Sequence, residues 1–306
     1  MDYRFKTTPY KHQLDALDKS WNKKTYAYFM EMGTGKSKVL LDNIAMLYDQ
    51  GKINSALIIA PKGVYRNWKN QEIPAHLVDH IKANIVCWTP TPTKKEKELL
   101  DSLTVITDDL VIFLMNVEAL STIKGYEAAY KFLLGHTSLM AIDESTTIKA
   151  PTASRTKSSM KLGLYAKYRR ILTGSPVTKS PLDLYTQCYF LDPYLLDFSS
   201  YWAFKSRYAL MSHRNAAGGS HSYHHIIKYV RLDELNDKLG KFSMRILKED
   251  CLDLPEKIYM KRTISLTPEQ LKVYAEMKKF AIAELENSTM TAFSVLTQLM
   301  RLHQIT

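Results

Sequence analysis

Five consecutive residues of this sequence have the types and the order needed to bind a phosphate group. The segment reads Gly33-Thr34-Gly35-Lys36-Ser37. Its glycines let backbone N–H groups surround a phosphate that larger side chains would block, and Lys36 can neutralise the β- and γ-phosphates of a nucleotide. The Ser37 hydroxyl can ligate Mg²⁺. The segment therefore predicts a site for a nucleotide and Mg²⁺, with a chance match in a glycine-rich turn as the alternative.

The segments on either side of this phosphate loop (residues 33–37) are those that such a loop requires. The apolar run 26–30 predicts a strand, and residues 38–48 have the periodicity of a helix. A helix that begins at the loop directs the positive end of its dipole at the phosphates. One residue departs from the usual pattern, since Met30 stands where Gly or Ala is common. The strand and the helix nevertheless favour nucleotide binding over a chance match.

A second stretch provides the acidic groups that phosphate chemistry needs. The apolar run 139–142 predicts a buried strand, and it is followed directly by Asp143 and Glu144. We expect Asp143 to lie near the metal ion and Glu144 to polarise the attacking water as a general base. Two surface acids that cap the next helix are the alternative, which the apolar residues before them disfavour.

Further apolar runs indicate how these groups are positioned. The runs are 56–60, 85–88, 110–114 and 170–172. They are continuous rather than alternating, which is typical of strands buried on both faces of a parallel sheet between helices. From about residue 195 onward, helical patterns dominate. The sequence thus predicts an α/β ATP-binding domain over residues 1–195, and a mainly helical extension with an insertion over residues 196–306.

Length and composition exclude several classes of protein. The chain has 306 residues, of which 45% are hydrophobic and 24% charged, so it is not intrinsically disordered, collagen or a coiled coil. No apolar run approaches the ~18 residues of a membrane-spanning helix, and the first residues do not resemble a secretory signal. The cysteines Cys87, Cys188 and Cys251 are far apart, which fits a reducing compartment. We therefore expect a cytoplasmic protein without a membrane partner.

The positive charge is concentrated in one part of the chain. Of the formal net charge of +11, residues 151–231 contribute +9, from 12 Lys/Arg and 3 Asp/Glu. Such an excess predicts a polyanionic partner, because phosphate neutralisation supplies most of the sequence-independent affinity for nucleic acids. A solubilising surface is the alternative.

Further motifs follow one another along the chain. They are Pro9–Gln13, Met32–Ser37, Ile59–Lys62 with Asn67-Trp68, Asp109–Leu120, Asp143–Thr146 with Ile148–Pro151, Leu172–Pro176, Arg245–Asp250, Leu254–Lys257 and Leu299–Ile305. In type and order they resemble the motifs of superfamily-two helicases of the DEAD/DEAH-box-related kind, in particular the Swi/Snf-like DNA-translocating ATPases. The resemblance spans residues 9–305. It implies a RecA-like P-loop fold and the N-terminal motor domain of such an enzyme.

The resemblance also implies roles for residues outside the phosphate loop. Gln13 would recognise adenine, since its amide can donate and accept a hydrogen bond at once. Thr173 and Ser175 lie in the segment that resembles motif III, where they would sense the γ-phosphate and pass its state to the rest of the domain. Thr146 stands where the family has His, and its hydroxyl would take part in this coupling.

Basic residues near these motifs are candidates for contacts with the phosphate backbone of a nucleic acid. Backbone contact suits a motor, because a motor must hold any sequence. For each residue taken alone, a solvated surface position is the alternative. The candidates are Lys62, Arg66, Arg155, Lys157, Arg169 and Arg170, with Lys161, Lys167 and Lys179 in the same basic run.

Two further features leave alternatives open. Trp68 is expected to pack in the core, with a base-stacking platform as the alternative. Four of the nine histidines lie between His213 and His225. A zinc site is conceivable there, but histidines in a Gly/Ser-rich loop without a nearby cysteine favour an exposed insertion.

These patterns together predict an ATP-dependent DNA translocase or helicase. Double-stranded DNA is the favoured partner, with single strands and RNA left open. One alternative is a nucleotide-regulated DNA-binding module without productive hydrolysis by this chain. Another is a small-molecule P-loop kinase, which is disfavoured because no lid-like or substrate-arginine pattern occurs. The compact spacing of the motifs is typical of bacterial or phage members, which suggests a bacterial or phage-infected cell.

The end of the sequence predicts that the protein continues. The last residues give no helix-stop signal, and the motifs of a second RecA-like domain do not occur before Thr306. In this family that domain carries an arginine finger, which contributes about 10³-fold or more to phosphoryl transfer. We therefore expect a second RecA-like domain in the full-length protein, and weak ATP hydrolysis by this chain alone.

Overall fold

The computed structural model describes residues 3–103, 108–215, 222–251, 258–286 and 292–305. Contacts divide the chain into two compact units, Met1–Leu254 and Pro255–Thr306. All of the catalytic and nucleic-acid-contact candidates lie in the first unit.

A seven-stranded sheet forms the centre of the first unit. The strands of this unit are β1 (Thr25–Met30), β2 (Ser55–Ala60), β3 (Ala83–Cys87), β4 (Leu110–Asn116), β5 (Ser138–Asp143), β6 (Tyr168–Leu172), β7 (Ala209–Asn215), β8 (Ser222–Tyr229) and β9 (Ser243–Ile246). The order across the sheet is β3-β4-β2-β5-β6-β1-β9, and every neighbouring pair is parallel. The remaining two strands, β7 and β8, form an antiparallel hairpin.

Helices connect these strands. They are α1 (Lys11–Ser20), α2 (Lys36–Asp49), α3 (Tyr65–Asn67), α4 (Ile73–His76), α5 (Lys94–Ser102), α6 (Ile123–Gly135), α7 (Ser154–Gly163), α8 (Leu184–Leu191), α9 (Tyr201–Tyr208), α10 (Leu232–Gly240) and α11 (Lys248–Cys251). A π-helix, Trp68–Glu72, joins α3 to α4, and 3-10 turns lie at Val117–Ser121, Ser145–Ile148 and Pro181–Asp183. The second unit contains α12 (Pro268–Glu286) and α13 (Ala292–Ile305).

The strands are buried on both faces because both sets of alternating side chains are apolar. In β1, Ala27 and Phe29 join one hydrophobic cluster, while Tyr28 and Met30 join the other. Residues of α6 to α10 complete the first cluster, and residues of α1 to α4 complete the second. The continuous apolar runs therefore predicted the architecture correctly, and the α/β fold with a parallel sheet between helices is confirmed.

Parallel pairing brings the candidate chemistry to one edge of the sheet. Because all seven strands run in the same direction, the loops after their carboxyl ends meet along one edge, which we call the carboxyl edge. The loops after β1, β6 and β5 lie side by side there, followed by those after β2, β4 and β3. The phosphate loop follows β1, and Glu144 follows β5.

The segment after residue 195 contains strands where the sequence indicated mainly helices. The hairpin β7–β8 lies in it, and β9 extends the sheet beside β1. With four residues, β9 is too short to show strand periodicity, and its place depends on pairing with a strand more than 200 residues earlier. Contacts place residues 196–254 in the first unit. A domain boundary at residue 195 stays a prediction.

Two other expectations concern a membrane and the histidine-rich segment. Within the described ranges, none of the helices has both the length and the apolarity that crossing a bilayer demands. On the hairpin, His213 lies opposite His224 in the Cα register. His221 falls outside the described residues. The expectation of an exposed insertion stays a prediction.

Candidate active site

The backbone of the phosphate loop requires its glycines. Gly33 and Gly35 have φ angles of +83° and +90°, in the left-handed region that other residues rarely adopt. Gly35 is also the N-cap of α2, and having no side chain it leaves the first N–H groups of that helix for an anion. Lys36 begins the helix and is buried. The local geometry is that of an anion-binding helix start.

Gln13 lies directly against this loop. Its amide nitrogen donates to the carbonyl oxygen of Thr34 (3.0 Å), and its amide oxygen accepts the backbone N–H of Tyr10 (3.0 Å). A Cβ at Gly35 would overlap the Gln13 amide. The predicted adenine-recognition residue therefore adjoins the phosphate loop, where it also supports the loop backbone.

A second neighbour of the loop comes from the segment after β9. A Cβ at Gly33 would lie 3.3 Å from Cε of Lys248, so that lysine side chain lies against the loop. The Lys248 backbone N–H donates to a carboxylate oxygen of Glu31 (2.9 Å), and the Glu31 N–H donates to the carbonyl of Ile246 (2.9 Å). The sequence assigned no role to Lys248, because its proximity depends on the pairing of β9 with β1.

The two acidic residues after β5 adopt contrasting environments. Asp143 ends the strand and is only 8% exposed. Glu144 has a φ of +48°, a left-handed conformation that costs a non-glycine residue about 1–3 kcal/mol and is found mainly at functional sites. One Glu144 carboxylate oxygen accepts the Thr173 hydroxyl (3.2 Å), and the other lies 3.8 Å from Nζ of Lys36. The strained backbone turns Glu144 toward the phosphate loop.

Burial makes the ionised form of the Asp143 carboxyl less stable than it would be in water. Burial raises the pKa of Asp143 to about 6, and the neighbouring charge of Glu144 adds to this effect. The hydrogen bond from Trp68 and the charge of Lys36 act in the opposite direction without cancelling it. A bound cation would stabilise the ionised form of such a group.

The side-chain types of Ser37 and Asp143 fit Mg²⁺ rather than a softer metal. The Ser37 hydroxyl, in the first turn of α2, and the Asp143 carboxylate are oxygen ligands. Mg²⁺ is usually bound through one or two protein oxygens together with substrate phosphates and water. Trp68 and Lys36 only partly stabilise the negative charge of Asp143, so a cation beside it would be favourable.

The motif III segment lies against the residues that immediately precede the phosphate loop. A Cβ at Gly174 would approach the Glu31 Cα and the Met32 nitrogen to 3.2 Å, so a larger residue would fit only if this backbone moved by a few tenths of an ångström. Thr173 is buried, and its hydroxyl oxygen accepts the backbone N–H of Ser175 (3.2 Å). The structure therefore brings Thr173 to Glu144, with Ser175 bonded to Thr173. A sensing role for the two residues stays a prediction.

The segment after Glu144 is linked to motif III by residues other than Thr146. The Ser145 hydroxyl donates to the amide oxygen of Gln187 (2.7 Å), whose amide nitrogen donates to the carbonyl of Pro176 (2.8 Å). Thr146 is half-buried in the 3-10 turn, and its carbonyl accepts the N–H of Lys149. Gln187 lies on α8 and carries no motif, so the sequence offered no signal for it. A coupling role for Thr146 stays a prediction.

Two predicted nucleic-acid contacts line a groove at the carboxyl edge. Lys62 and Arg66 follow β2 and are exposed. Together with Trp88, Asn116 and other residues that follow β3 and β4, they line a groove of about 580 Å³. We call it the basic groove. It lies on the same edge of the sheet as the phosphate loop, and its two exposed cations, Lys62 and Arg66, fit a polyanion.

Two more candidates lie on α7. Lys157 is exposed and Arg155 is half-buried. The helix packs against the 3-10 turn Val117–Ser121, which follows β4 on the same side of the sheet as the basic groove. Both residues stay predicted contacts.

Arg170 is not available to a nucleic acid, and its prediction as a backbone contact is wrong. Its side chain is 0% exposed, and its guanidinium donates to the Asn43 amide oxygen (2.9 Å) and to the carbonyls of Ser20 (3.0 Å) and Lys23 (2.9 Å). It is the middle residue of β6, and its guanidinium reaches carbonyls in the segment before β1, away from the carboxyl edge. The arginine serves as a buried cross-link between β6, α2 and the segment after α1.

Arg169 lies near the amino end of β6. It is half-buried and donates to the carbonyl of Phe190 (3.4 Å). The structure thus separates the pair Arg169–Arg170 from Lys62 and Arg66, although the sequence grouped all four by charge. A backbone contact by Arg169 stays a prediction.

Comparisons with known proteins agree with this geometry. The SNF2-related domain family matches residues 26–306. The chromatin-remodeling ATPase INO80 of Cryptococcus neoformans is 26% identical over 275 residues, which are 85% of this chain and 14% of that protein. Human TATA-binding protein-associated factor 172 is 30% identical over 139 residues, or 45% of this chain and 7% of that protein. The chain therefore spans only a small part of these relatives.

A solved structure shares the fold. The SWI2/SNF2 ATPase core of Sulfolobus solfataricus, determined in complex with dsDNA, has a TM-score of 0.60 and 22% sequence identity. The match covers 100% of this chain and 59% of that one. At this level of identity the likeness concerns the fold, and it confirms the predicted RecA-like α/β architecture.

Proposed function

This chain belongs to the SNF2-related domain family, and from that membership we propose that it is the N-terminal motor domain of an ATP-dependent DNA translocase. One observation carries the proposal. Lys36, Asp143, Glu144 and Thr173 meet at the carboxyl edge of the sheet, beside the basic groove. ATP hydrolysis and nucleic-acid binding would thus occur at adjacent loops of one rigid sheet.

ATP binds with its phosphates in the loop 33–37. The backbone N–H groups at the start of α2 and the Lys36 ammonium hold the phosphate oxygens. Ser37 and Asp143 would hold Mg²⁺, which when bound neutralises phosphate charge. The γ-phosphate would then face Thr173 and Glu144, which contact each other beside Lys36.

Glu144 acts as the general base. Its side chain is 37% exposed, so water can reach the carboxylate. Water attacks the γ-phosphorus, its proton passes to Glu144, and the bond from the γ-phosphorus to the β–γ bridging oxygen breaks to release ADP. The Thr173 hydroxyl and the Lys36 ammonium keep the carboxylate oriented toward the loop.

The basic groove holds the phosphate backbone of DNA. Lys62 and Arg66 provide charge without base recognition, which suits movement along any sequence. Duplex DNA is the proposed partner, a choice supported by the similar archaeal ATPase core, whose structure was determined in complex with dsDNA.

A second RecA-like domain completes the proposed enzyme. This chain spans 59% of the archaeal ATPase core and 14% of the fungal INO80 protein. The missing part would close over ATP and supply an arginine, which contributes about 10³-fold or more to phosphoryl transfer. The chain alone is therefore expected to bind ATP but to hydrolyse it slowly.

The proposal is tested by phosphate release. This chain and a longer one that includes the following domain would be compared with duplex DNA, with single-stranded DNA and without nucleic acid. We expect slow release from the short chain and strong stimulation of the longer one by duplex DNA. Nucleotide-dependent DNA binding without stimulated phosphate release would favour the alternative, a nucleotide-regulated DNA-binding module.

A further inference from the structure

Trp68 makes a contact that core packing does not explain. Its indole N–H donates to a carboxylate oxygen of Asp143 at 3.1 Å. Trp68 is 1% exposed and Asp143 is 8% exposed, so the hydrogen bond is shielded from water. The other oxygen of Asp143 accepts the backbone N–H of Glu144 (3.0 Å). Two N–H donors therefore fix the orientation of this carboxylate.

The backbone at Trp68 is unusual. Residues 68–72 form a π-helix between the short helices α3 and α4. A π-helix is rare and often marks a functional site, because its wider turn costs stability. Ring burial alone would not need the indole N–H, which a phenylalanine lacks.

The same segment carries the wall of the basic groove. Arg66 lies two residues before Trp68, and its Nε donates to the hydroxyl of Tyr65 (3.0 Å). That hydroxyl donates to the carbonyl of Trp88 (3.2 Å), which also lines the groove. Arg66 lies in α3, and the π-helix that begins at Trp68 follows α3 directly. A polyanion held by Arg66 would therefore act on the backbone that carries the Trp68 indole.

We infer that Trp68 is a positioning residue that orients Asp143 and transmits occupancy of the basic groove to it. A nucleic acid in the groove fixes α3, and the indole N–H then holds the carboxylate in one orientation. This inference rests on the proposed function, because Asp143 is there assigned to Mg²⁺. It adds a path from nucleic acid to the nucleotide site that lies within this unit and does not use motif III.

The test compares Trp68→Phe with the unaltered chain. Phenylalanine keeps an aromatic ring in the core and removes the N–H donor. Binding of a fluorescent ATP analogue would be measured against Mg²⁺ concentration, with and without saturating duplex DNA. We expect the half-saturating Mg²⁺ concentration to rise about tenfold in the variant, since partners of metal ligands contribute about 10–100-fold to metal affinity. We also expect duplex DNA to lower it in the unaltered chain only.

Trp21→Phe is the matched control. Trp21 packs against the same hydrophobic cluster as Trp68, and it lies away from the carboxyl edge, at the end of α1. The same substitution there should leave both the Mg²⁺ dependence and the effect of DNA unchanged. An equal change in both variants would mean that general loss of packing is responsible, and the inference would be overturned.

The outcomes separate this inference from the proposed function. If the unaltered chain shows no Mg²⁺-dependent binding of the ATP analogue, the proposed function fails and the inference fails with it. If the unaltered chain behaves as expected and Trp68→Phe matches it in both measurements, only the inference fails.

A second measurement needs no substitution at Trp68. The chain has four tryptophans. With ¹⁵N-labelled tryptophan, the indole signal of Trp68 can be assigned by elimination from phenylalanine variants of the other three. We expect this signal to move when Mg²⁺ and ATP are added and to move again when duplex DNA is added. A signal that does not respond to DNA bound at saturation would overturn the transmission role.

Discussion

The nucleotide end and the basic groove share one edge of the sheet but are built differently. At the nucleotide end, after β1, β6 and β5, Lys36, Asp143 and Thr173 are buried, and Glu144 contacts both Thr173 and Lys36. In the groove, after β2, β3 and β4, Lys62 and Arg66 are exposed. The same parallel sheet thus supports one rigid site and one adaptable surface.

The difference fits what the proposed function asks of each region. Phosphoryl transfer needs groups fixed to within a fraction of an ångström, and burial strengthens their electrostatic effect. Holding a nucleic-acid backbone needs charge that can follow phosphates in any sequence context. Substitutions at the nucleotide end should therefore have large effects on chemistry, while those in the groove should have smaller effects that depend on salt.

The largest effect is expected from Glu144→Gln. The amide keeps the shape of the side chain but cannot take a proton, so turnover should fall by about 10²–10⁴-fold in the two-domain protein. ATP affinity should stay within a few-fold, as measured with a fluorescent analogue. Normal turnover by this variant would show that another group is the base.

Arg170→Met tests whether every basic residue of the positively charged segment 151–231 contacts DNA. The substitution removes the guanidinium hydrogen bonds to the Asn43 amide oxygen and to the Ser20 and Lys23 carbonyls, so the free energy of unfolding should fall by about 3 kcal/mol. Urea unfolding measures this loss. Below the unfolding transition, DNA affinity should equal that of the unaltered chain. A selective loss of DNA affinity with unchanged stability would restore the original prediction.

Lys36→Ala removes the cation of the phosphate loop. The loss of charge-assisted hydrogen bonds should weaken ATP binding by about 10–100-fold. Calorimetry or a fluorescent analogue measures the change, and DNA affinity without nucleotide provides the control. Unchanged ATP binding would remove the assignment of the loop.

The groove is tested by replacing Lys62 and Arg66 together with alanine. Each lost phosphate contact should reduce the slope of log affinity against log salt by about 0.9 on duplex DNA, or about 2 for the pair. ATP binding without DNA should not change. Lys167→Ala is the comparison, because Lys167 immediately precedes β6 and lies at the amino edge. If Lys167→Ala reduced the salt slope by as much per residue, DNA binding would not be specific to the carboxyl edge.

The smallest effect concerns pH. Because the pKa of Asp143 is raised to about 6, the carboxyl takes up a proton as pH falls through that value and competes with Mg²⁺. The gain in nucleotide affinity from Mg²⁺ should therefore decrease about fourfold between pH 7.5 and 5.5. Asp143→Asn, compared over the same range, corrects for protonation of ATP itself. The same pH dependence in both proteins would exclude Asp143 as its source.

Local patterns in the sequence determined the fold class and the centre of the site. The phosphate loop, the strand that ends in Asp143 and the continuous apolar runs depend on neighbouring residues, so they could be interpreted without coordinates. The order of the motifs likewise identified the family. Parallel pairing of buried strands then requires that the candidate groups meet at one edge.

Only the tertiary structure decided which partners the polar side chains have. Arg170 and Arg66 carry the same charge, yet one is buried among carbonyls and the other is exposed. Trp68 and Asp143 are 75 residues apart, and Lys248 reaches Gly33 only because β9 pairs with β1. Charge and residue type define what a side chain can bind, but the partner it meets depends on how distant strands and helices pack.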